Sequence, residues 1–468
     1  MRSYGSLIRH EGNASLFTAV EISITAAAAG RPVHIHAEGV RGTGKTTIMR
    51  AAAGILPPIE RIAGCEFNCR PWAPHCPDHK DLPLARIREI GTERIPMPFL
   101  EISHSAKLGT VVGSIDLARV TDRDHPSAAL LLGSIPRAHR GILFVDEINR
   151  LADTSPELTD VLLDVMGTKP GRIQIEESGL RTVVLPVEIS VWSASNPDED
   201  PGPLEDVRRQ LSDRFDLTVE TGRSTEASHI RRILEMEEFE SGTLVGADNC
   251  ARENAESGWP ARFIQAAGSL ARVHYPNDLL ELLATLYIDF DIESIRAMES
   301  LRTASRCRAA LMGRPVVTIS DIRAVVPMVL RHRVEVATLA NILKYLDGVE
   351  DKPAHAKPAA AVGQTGLPGG NDGFGPRGDG ETSAAGGPGL RGVLHKLLER
   401  MKSEQSDGPT HDGRQGGTGG AAGTCVRGNA AGFRAPSEHS VGEVCPPDPA
   451  KAITELGPKV VFGEDELS

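Results

Sequence analysis

Hydrophobic and polar positions alternate through Val33-His34-Ile35-His36-Ala37, directly after Pro32. A period of two predicts a short strand there. The next eight residues, Gly39-Val40-Arg41-Gly42-Thr43-Gly44-Lys45-Thr46, carry no apolar period, and residues 47–53 are good helix formers that stop before Pro57-Pro58. Residues 98–102 read as a further strand, and 109–120 as a hairpin or strand–turn insert. Residues 128–132 read as helix. Four consecutive apolar residues, Ile142-Leu143-Phe144-Val145, predict a strand buried on both faces, and 189–195 predicts another. Between these two lie an amphipathic helix at 158–166 and a hairpin at 172–187 that turns near Gly179. From about Ser224 the pattern is helical throughout, in segments 229–239, 260–273, 277–289, 292–312 and 319–331.

This pattern predicts an α/β fold. A parallel sheet flanked by helices occupies 33–223, after a helical lead-in at 1–32, and an all-helical domain follows at 224–347. Composition changes at about Gly348. Residues 348–450 are rich in Gly, Pro, Ala and Ser and read as a disordered linker. One island at 390–402 carries Leu394, Leu397, Leu398 and Met401 at helical spacing, either a docking helix or a transient one. The tail at 451–468 contains Lys459-Val460-Val461-Phe462, a candidate short strand or peptide anchor.

The chain has 468 residues and a formal net charge of −12, which argues against a dedicated nucleic-acid binder. No apolar run approaches the roughly 20 residues of a membrane span, and residues 1–17 hold no signal-peptide core. Seven cysteines in a chain of this length point to a reducing cytoplasm.

The candidate chemistry starts at Gly39–Thr46, which fits G-x-x-x-x-G-K-[ST] between a predicted strand and a predicted helix. Glycines let backbone N–H groups curl inward toward phosphate oxygens, and the helix N-terminus adds partial positive charge. Gly39, Gly42, Thr43, Gly44, Lys45, Thr46 and Thr47 form the nucleotide-binding set. Lys45 would reach the β- and γ-phosphates of ATP, and the Thr46 hydroxyl would ligate Mg²⁺. Asp146 and Glu147 follow the apolar strand 142–145, at the carboxyl edge where α/β sheets place ligands. Asp146 would help hold Mg²⁺, and Glu147 would polarise the attacking water. Asn196 ends another strand, where its amide could hold that water or the γ-phosphate, or simply make a turn before Pro197. Arg214 could reach a neighbour's γ-phosphate or make a surface ion pair. Arg302, Arg306 and Arg308 share one helix, but their spacing cannot bring all three to one face.

A Pro-rich segment carries Cys65, Cys69, Cys76 and His79, with His75 as an alternate. These are either four Zn²⁺ ligands or unligated, redox-sensitive thiols.

Taken together these residues resemble AAA+ ATPases, and more narrowly the I subunit of magnesium chelatase and its cobaltochelatase relatives. The likeness covers about residues 30–333. It is carried by Gly42 to Thr46, Gly64-Cys65 to Asn68-Cys69, Val111-Val112-Gly113-Ser114-Ile115-Asp116-Leu117, Ala138 to Asn149, Leu211-Ser212-Asp213-Arg214-Phe215 and Leu330-Arg331-His332-Arg333. The resemblance implies an AAA+ core with an all-helical lid and a homo-oligomeric ring. It implies sensor-1 for Asn196, the arginine finger for Arg214 and sensor-2 for Arg302. The partners it implies are chelatase subunits or a VWA-domain protein, with no nucleic acid and no membrane. The family's Ile-Val-Gly-Gln box is not evident before the phosphate loop, and the C-terminal region lies outside the usual I subunit.

Three functions follow as expectations: an ATP-driven chelatase motor that helps a partner insert Mg²⁺ or Co²⁺ into a tetrapyrrole, a MoxR-like chaperone ATPase, or a nucleotide-gated scaffold that binds without hydrolysis. A chain this poor in aliphatics after residue 353 cannot bury a core. Removing 353–468 is therefore expected to leave ATP turnover largely intact; loss of soluble, folded protein on truncation would contradict the linker reading.

Overall fold

The computed structural model describes residues 3–115, 130–175, 182–241 and 248–349. The expected linker, the island at 390–402 and the tail at 451–468 lie outside the described residues, as does the part of the 109–120 insert from 116 on.

Helix α1 (Ala14–Ala28) precedes β1 (Ile35–Glu38) and α2 (Lys45–Ala51). An antiparallel pair, β2 (Pro58–Ile62) and β3 (Thr92–Pro96), brackets the cysteine segment and α3 (Leu84–Ile90). Next come β4 (Phe99–Ile102), α4 (Leu108–Val112), β5 (Gly113–Ile115), β6 (Leu130–Leu132) and α5 (Ser134–Arg137). The core continues with β7 (Ile142–Val145), α6 (Ile148–Thr154), α7 (Pro156–Gly167), the hairpin of β8 (Gly171–Ile175) and β9 (Val183–Val187), β10 (Ser190–Ser195), α8 (Leu204–Ser212) and β11 (Leu217–Glu220). The helical region comprises α9 (Ala227–Ser241), α10 (Asp248–Leu270), α11 (Asn277–Asp289), α12 (Ile295–Leu311), α13 (Ile319–Leu330) and α14 (Val336–Asp347).

The five-stranded sheet has the order β11-β1-β10-β7-β4, and every pairing in it is parallel. All residues of β1, β7 and β10 are buried. His34, just before β1, and His36 within it are also interior, at 2% and 0% exposure. Burial pushes both imidazoles down to about 3, so they are neutral. Val191 N donates to His34 Nδ1 at 3.0 Å, and His36 Nε2 lies 2.9 Å from Ser195 Oγ, while His36 Nδ1 has no hydrogen-bond partner among the described residues. A period of two cannot distinguish a solvated histidine from a buried one.

Three local expectations are corrected. The insert read as a hairpin or strand–turn at 109–120 opens instead with helix α4, Leu108–Val112. Leu130–Leu132 is a strand rather than a helix, paired antiparallel with Gly113–Ile115. A run of leucines has no decisive period, so the partner strand sets its state. The helix expected from 260 begins at Asp248 and carries Pro260 inside it.

Helix α1 is buried nearly all round, because it packs against the sheet on one side and α10 and α12 on another. Its polar residues are used: Ser23 Oγ donates to Val33 O at 2.6 Å and accepts from Trp192 Nε1 at 2.9 Å. A second buried polar group, Asp216, joins the sheet to the helical region. Its carboxylate accepts from His34 N (2.9 Å), Ser300 Oγ on α12 (2.7 Å) and Lys169 Nζ (3.2 Å). Burial alone would raise this carboxyl, but Lys169, His34 and the donated hydrogen bonds outweigh it and hold the group down at about 2.

The sign follows from a folded value below the ordinary 3.8. The stability is present above 3.8 and is lost as pH falls toward 2. It is on the order of 2 kcal/mol. Asp216→Asn is expected to lower the melting temperature at neutral pH and to flatten the stability profile in that acid window; an unchanged acid profile would show that the linkage lies elsewhere.

Candidate functional site

Strand ends build the site. Gly39 follows β1, Asp146 follows β7, Asn196 follows β10 and Thr221 follows β11, so parallel pairing brings all four to one carboxyl edge. Strand β10 lies between β1 and β7, which places Asn196 between the glycine loop and the acidic pair.

The loop needs its glycines. Gly39, Gly42 and Gly44 have φ of 147°, 77° and 83°. A Cβ on Gly39 would lie 2.3 Å from Thr221 O, so the loop could not close against β11 with a side chain there. Thr43 Oγ1 caps the turn, donating to Val40 O at 3.0 Å and lying 2.9 Å from Thr221 Oγ1.

Lys45 opens α2 and is only 6% exposed. Its ammonium donates to Gly39 O (2.6 Å), Val40 O (3.0 Å) and Asn196 Oδ1 (2.8 Å). Burial pushes the ammonium below its ordinary value, while Asp146, Glu199 and Asp198 oppose that shift. Thr46 Oγ1 donates to Asp146 Oδ1 at 3.2 Å. Asp146 is raised by burial, against the pull of Arg50 and of the Thr46 bond, and Arg50 Nη2 lies 3.3 Å from its Oδ2.

Glu147 sits in the left-handed region, with φ 52° and ψ 50°. A non-glycine residue held there is strained, as is common where a side chain must be aimed. Its Oε2 accepts from Arg150 Nη1 at 3.2 Å and lies 3.7 Å from His104 Nδ1. Arg150 also bonds Glu199, which pairs with Arg41.

A cavity of about 500 Å³ adjoins the loop. Gly42, Gly44 and Thr47 form one wall; Leu7, Ile8, Gly222 and Ile230 contribute apolar surface and backbone opposite. This volume and lining suit a planar base beside a phosphate loop. Sequence reasoning missed Leu7, Ile8, Gly222 and Ile230. They come from three separated segments, and no spacing in the chain connects them.

Arg214 lies elsewhere. It precedes β11 and therefore stands at the amino edge of the sheet, whereas Lys45 stands at the carboxyl edge. Four strand residues separate the edges by about 13 Å. Its guanidinium is near Gly167, and its pKa is lowered by burial and by neighbouring Arg296. Arg333, from the segment after α13, donates to Asp213 O (3.0 Å) and Phe215 O (2.7 Å), bracketing the turn that carries Arg214. Arg302 is exposed on α12 and is not among the residues lining the loop cavity. Arg306 bonds Val273 O at 3.1 Å and Arg308 bonds Asp321 at 2.6 Å.

The fit to a magnesium-bound nucleotide can be judged from these contacts. A buried ammonium faces a loop that a side chain would block, beside a hydroxyl–carboxylate pair of the kind that holds Mg²⁺. The sheet order, the glycine loop and the strand-end polar groups define an AAA+ ATPase. Residues 280–344 match the model of the AAA lid domain. The chain is 34% identical over 298 residues to the magnesium-chelatase 38 kDa subunit of Acidiphilium rubrum, covering 63% of this chain and 81% of that one. It is 30% identical over 296 residues to the magnesium-chelatase subunit ChlI homolog of Methanocaldococcus jannaschii, covering 63% and 76%. A cryo-EM-based structure of the complex between subunits BchI and BchD of magnesium chelatase aligns at 28% identity and a TM-score of 0.37, covering 73% of this chain and 98% of that one. The chain belongs to the magnesium-chelatase I-subunit family of AAA+ ATPases. Among the described residues no helix is long and apolar enough to cross a membrane.

Gly39→Ala is expected to destabilise the fold by about 1–3 kcal/mol, through backbone strain and the Thr221 contact, and to weaken nucleotide binding. Thermal melting and fluorescent-nucleotide titration check this; parent-like values in both would show that the loop does not close as described.

Proposed function

We propose that this chain is the ATP-driven motor subunit of a metal chelatase, working in a homo-oligomeric ring beside a partner subunit that inserts Mg²⁺ or Co²⁺ into a tetrapyrrole. The supporting observation is the convergence of Lys45, Asp146 and Asn196 at one sheet edge while Arg214 stands at the other. The relatives' names favour the chelatase over a MoxR-like chaperone or a scaffold.

In this reading the loop N–H groups from Gly42 to Thr46 and the Lys45 ammonium hold the β- and γ-phosphates. Thr46 and Asp146 would hold Mg²⁺, whose charge offsets that of the phosphates. Glu147 takes a proton from the attacking water, and Asn196 orients that water or the γ-phosphate. Lys45 is already bonded to Asn196, so phosphate arrival would be felt at both. Arg214 completes a neighbour's site, since its own lies across the sheet. Arg302, exposed on α12, is given no part. The cysteine group also stands outside this cycle.

The mechanism predicts a specific complementation. Arg214→Ala and Glu147→Gln proteins should each be inactive, for different reasons. In a mixed ring, an Arg214→Ala protomer keeps Lys45, Asp146 and Glu147, and a Glu147→Gln neighbour can supply its arginine. Fingers are worth about 10³ to 10⁵ in rate, so even a few productive interfaces should stand above background. With subunit exchange demonstrated, a mixture as inactive as either parent would exclude the trans role. The chelatase assignment is tested by reconstitution with a relative's porphyrin-binding subunit. ATP-dependent spectral conversion of the porphyrin should require this chain and fail with Glu147→Gln; conversion without the chain would remove it from the reaction.

A further inference from the structure

The segment between β2 and α3 takes no part in the nucleotide site, yet it is tightly organised. Residues 63–83 hold little apolar material: Phe67 is buried, but Trp72 is 64% exposed. The buried groups are instead Cys65, Cys69 and Cys76, at 2%, 0% and 0% exposure. Their Sγ atoms and a ring nitrogen of His79 all lie within 4.8 Å of one another. Cys65 Sγ is 4.0 Å from Cys76 Sγ, and Cys76 Sγ is 3.0 Å from His79 Nδ1. A tetrahedral zinc ion, with Zn–S of about 2.3 Å, separates two of its sulfurs by about 3.8 Å.

We propose that Cys65, Cys69, Cys76 and His79 bind one Zn²⁺ as a closed structural site. The backbone is shaped for it. Gly64 and Asn68 have φ of 73° and 53°, folding Cys65–Cys69 into a tight knuckle. Backbone N–H groups of His75 and Cys76 each donate to Cys69 Sγ at 3.3 Å. Such bonds favour the thiolates that a metal needs, and coordination releases the thiol protons to solvent. Three sulfurs and one nitrogen form a donor set that zinc prefers, and four protein ligands leave no position for water or substrate.

His75, the alternate ligand, has another task. Its ring lies 4.0 Å from that of His139, and its Nδ1 is 3.3 Å from Cys69 Sγ, so it packs beside the group.

The location gives the metal its role. Asn68 Nδ2 donates to Arg137 O (2.8 Å) and His139 O (3.3 Å), in the turn that leads into β7. Arg70 makes two bonds to Glu188, at 2.8 and 2.7 Å, just before β10. The knuckle thus grips the amino ends of the two strands whose carboxyl ends carry Asp146 and Asn196. Zinc would fix the starting points of those strands without touching nucleotide.

The test uses full-length protein purified without chelator or histidine tag. Elemental analysis is expected to find about one zinc per chain, released by a mercurial as the thiols react. Cobalt exchange should give tetrahedral and thiolate-to-cobalt bands. Cys69→Ser should lose the metal and His75→Ala should keep it. His79→Cys should retain the metal with a shifted cobalt spectrum, which decides the matter even if Cys69→Ser fails to fold. A reduced protein that takes up no zinc, a disulfide between Cys65 and Cys76 in its place, or an unchanged cobalt spectrum in His79→Cys would each overturn the site. None of these readouts depends on ATP turnover, so failure here leaves the ATPase reading untouched.

Discussion

The structure turns on one buried cation. Lys45 is nearly inaccessible, and an ammonium taken from water is costly unless its protons are accepted. Two loop carbonyls and the Asn196 amide oxygen accept them. All three acceptors are there because of the sheet. Gly39 and Val40 follow β1, Asn196 follows β10, and the two strands pair in parallel from Ile35↔Trp192 to Glu38↔Ser195. A slip of that register would move Asn196 away from the ammonium. Nucleotide phosphate, with its greater charge, is the partner this cation is placed to receive.

The other sheet edge is held as firmly, but by different means. Asp216 draws together His34, Lys169 and Ser300, and Arg333 closes on the carbonyls of Asp213 and Phe215. The helical region is thereby fastened to the turn that presents Arg214. A rigid turn suits the trans role proposed for Arg214, because such an arginine is useful only if its position is set before the neighbour arrives. The cysteine knuckle grips the same edge at β7 and β10. The carboxyl edge carries the reacting groups, and the amino edge carries the fastenings.

Legibility followed locality. The glycine loop could be read because its chemistry is contiguous, from Gly39 to Thr46. Asp146 and Glu147 could be read because an apolar strand of four residues leads directly to them. The cavity beside the loop could not. Leu7 and Ile8, Gly222 and Ile230 meet only after β11 and α9 have folded back over the N-terminal segment, and none carries a distinctive spacing. The surroundings of His34 and His36 could not be read, since their partners, Val191 N and Ser195 Oγ, come from a strand more than 150 residues away. Leu130–Leu132 misled because leucine serves helix and strand equally when a partner decides. Arg302 rests on a short Leu-Arg match in the family pattern, two residues that constrain a position in space very little, and it stands exposed on α12.

In the proposed ring one chain alone holds an incomplete hydrolytic site, because Arg214 serves a neighbour. The most direct measurement is the specific ATPase activity of the unaltered chain as a function of its concentration, recorded together with its mass by light scattering. Turnover per chain is expected to fall steeply as dilution dissociates the assembly and to recover on reconcentration. Turnover per chain that stays constant from assembly to monomer would mean that a single protomer contains everything hydrolysis needs, and would exclude a site shared between protomers.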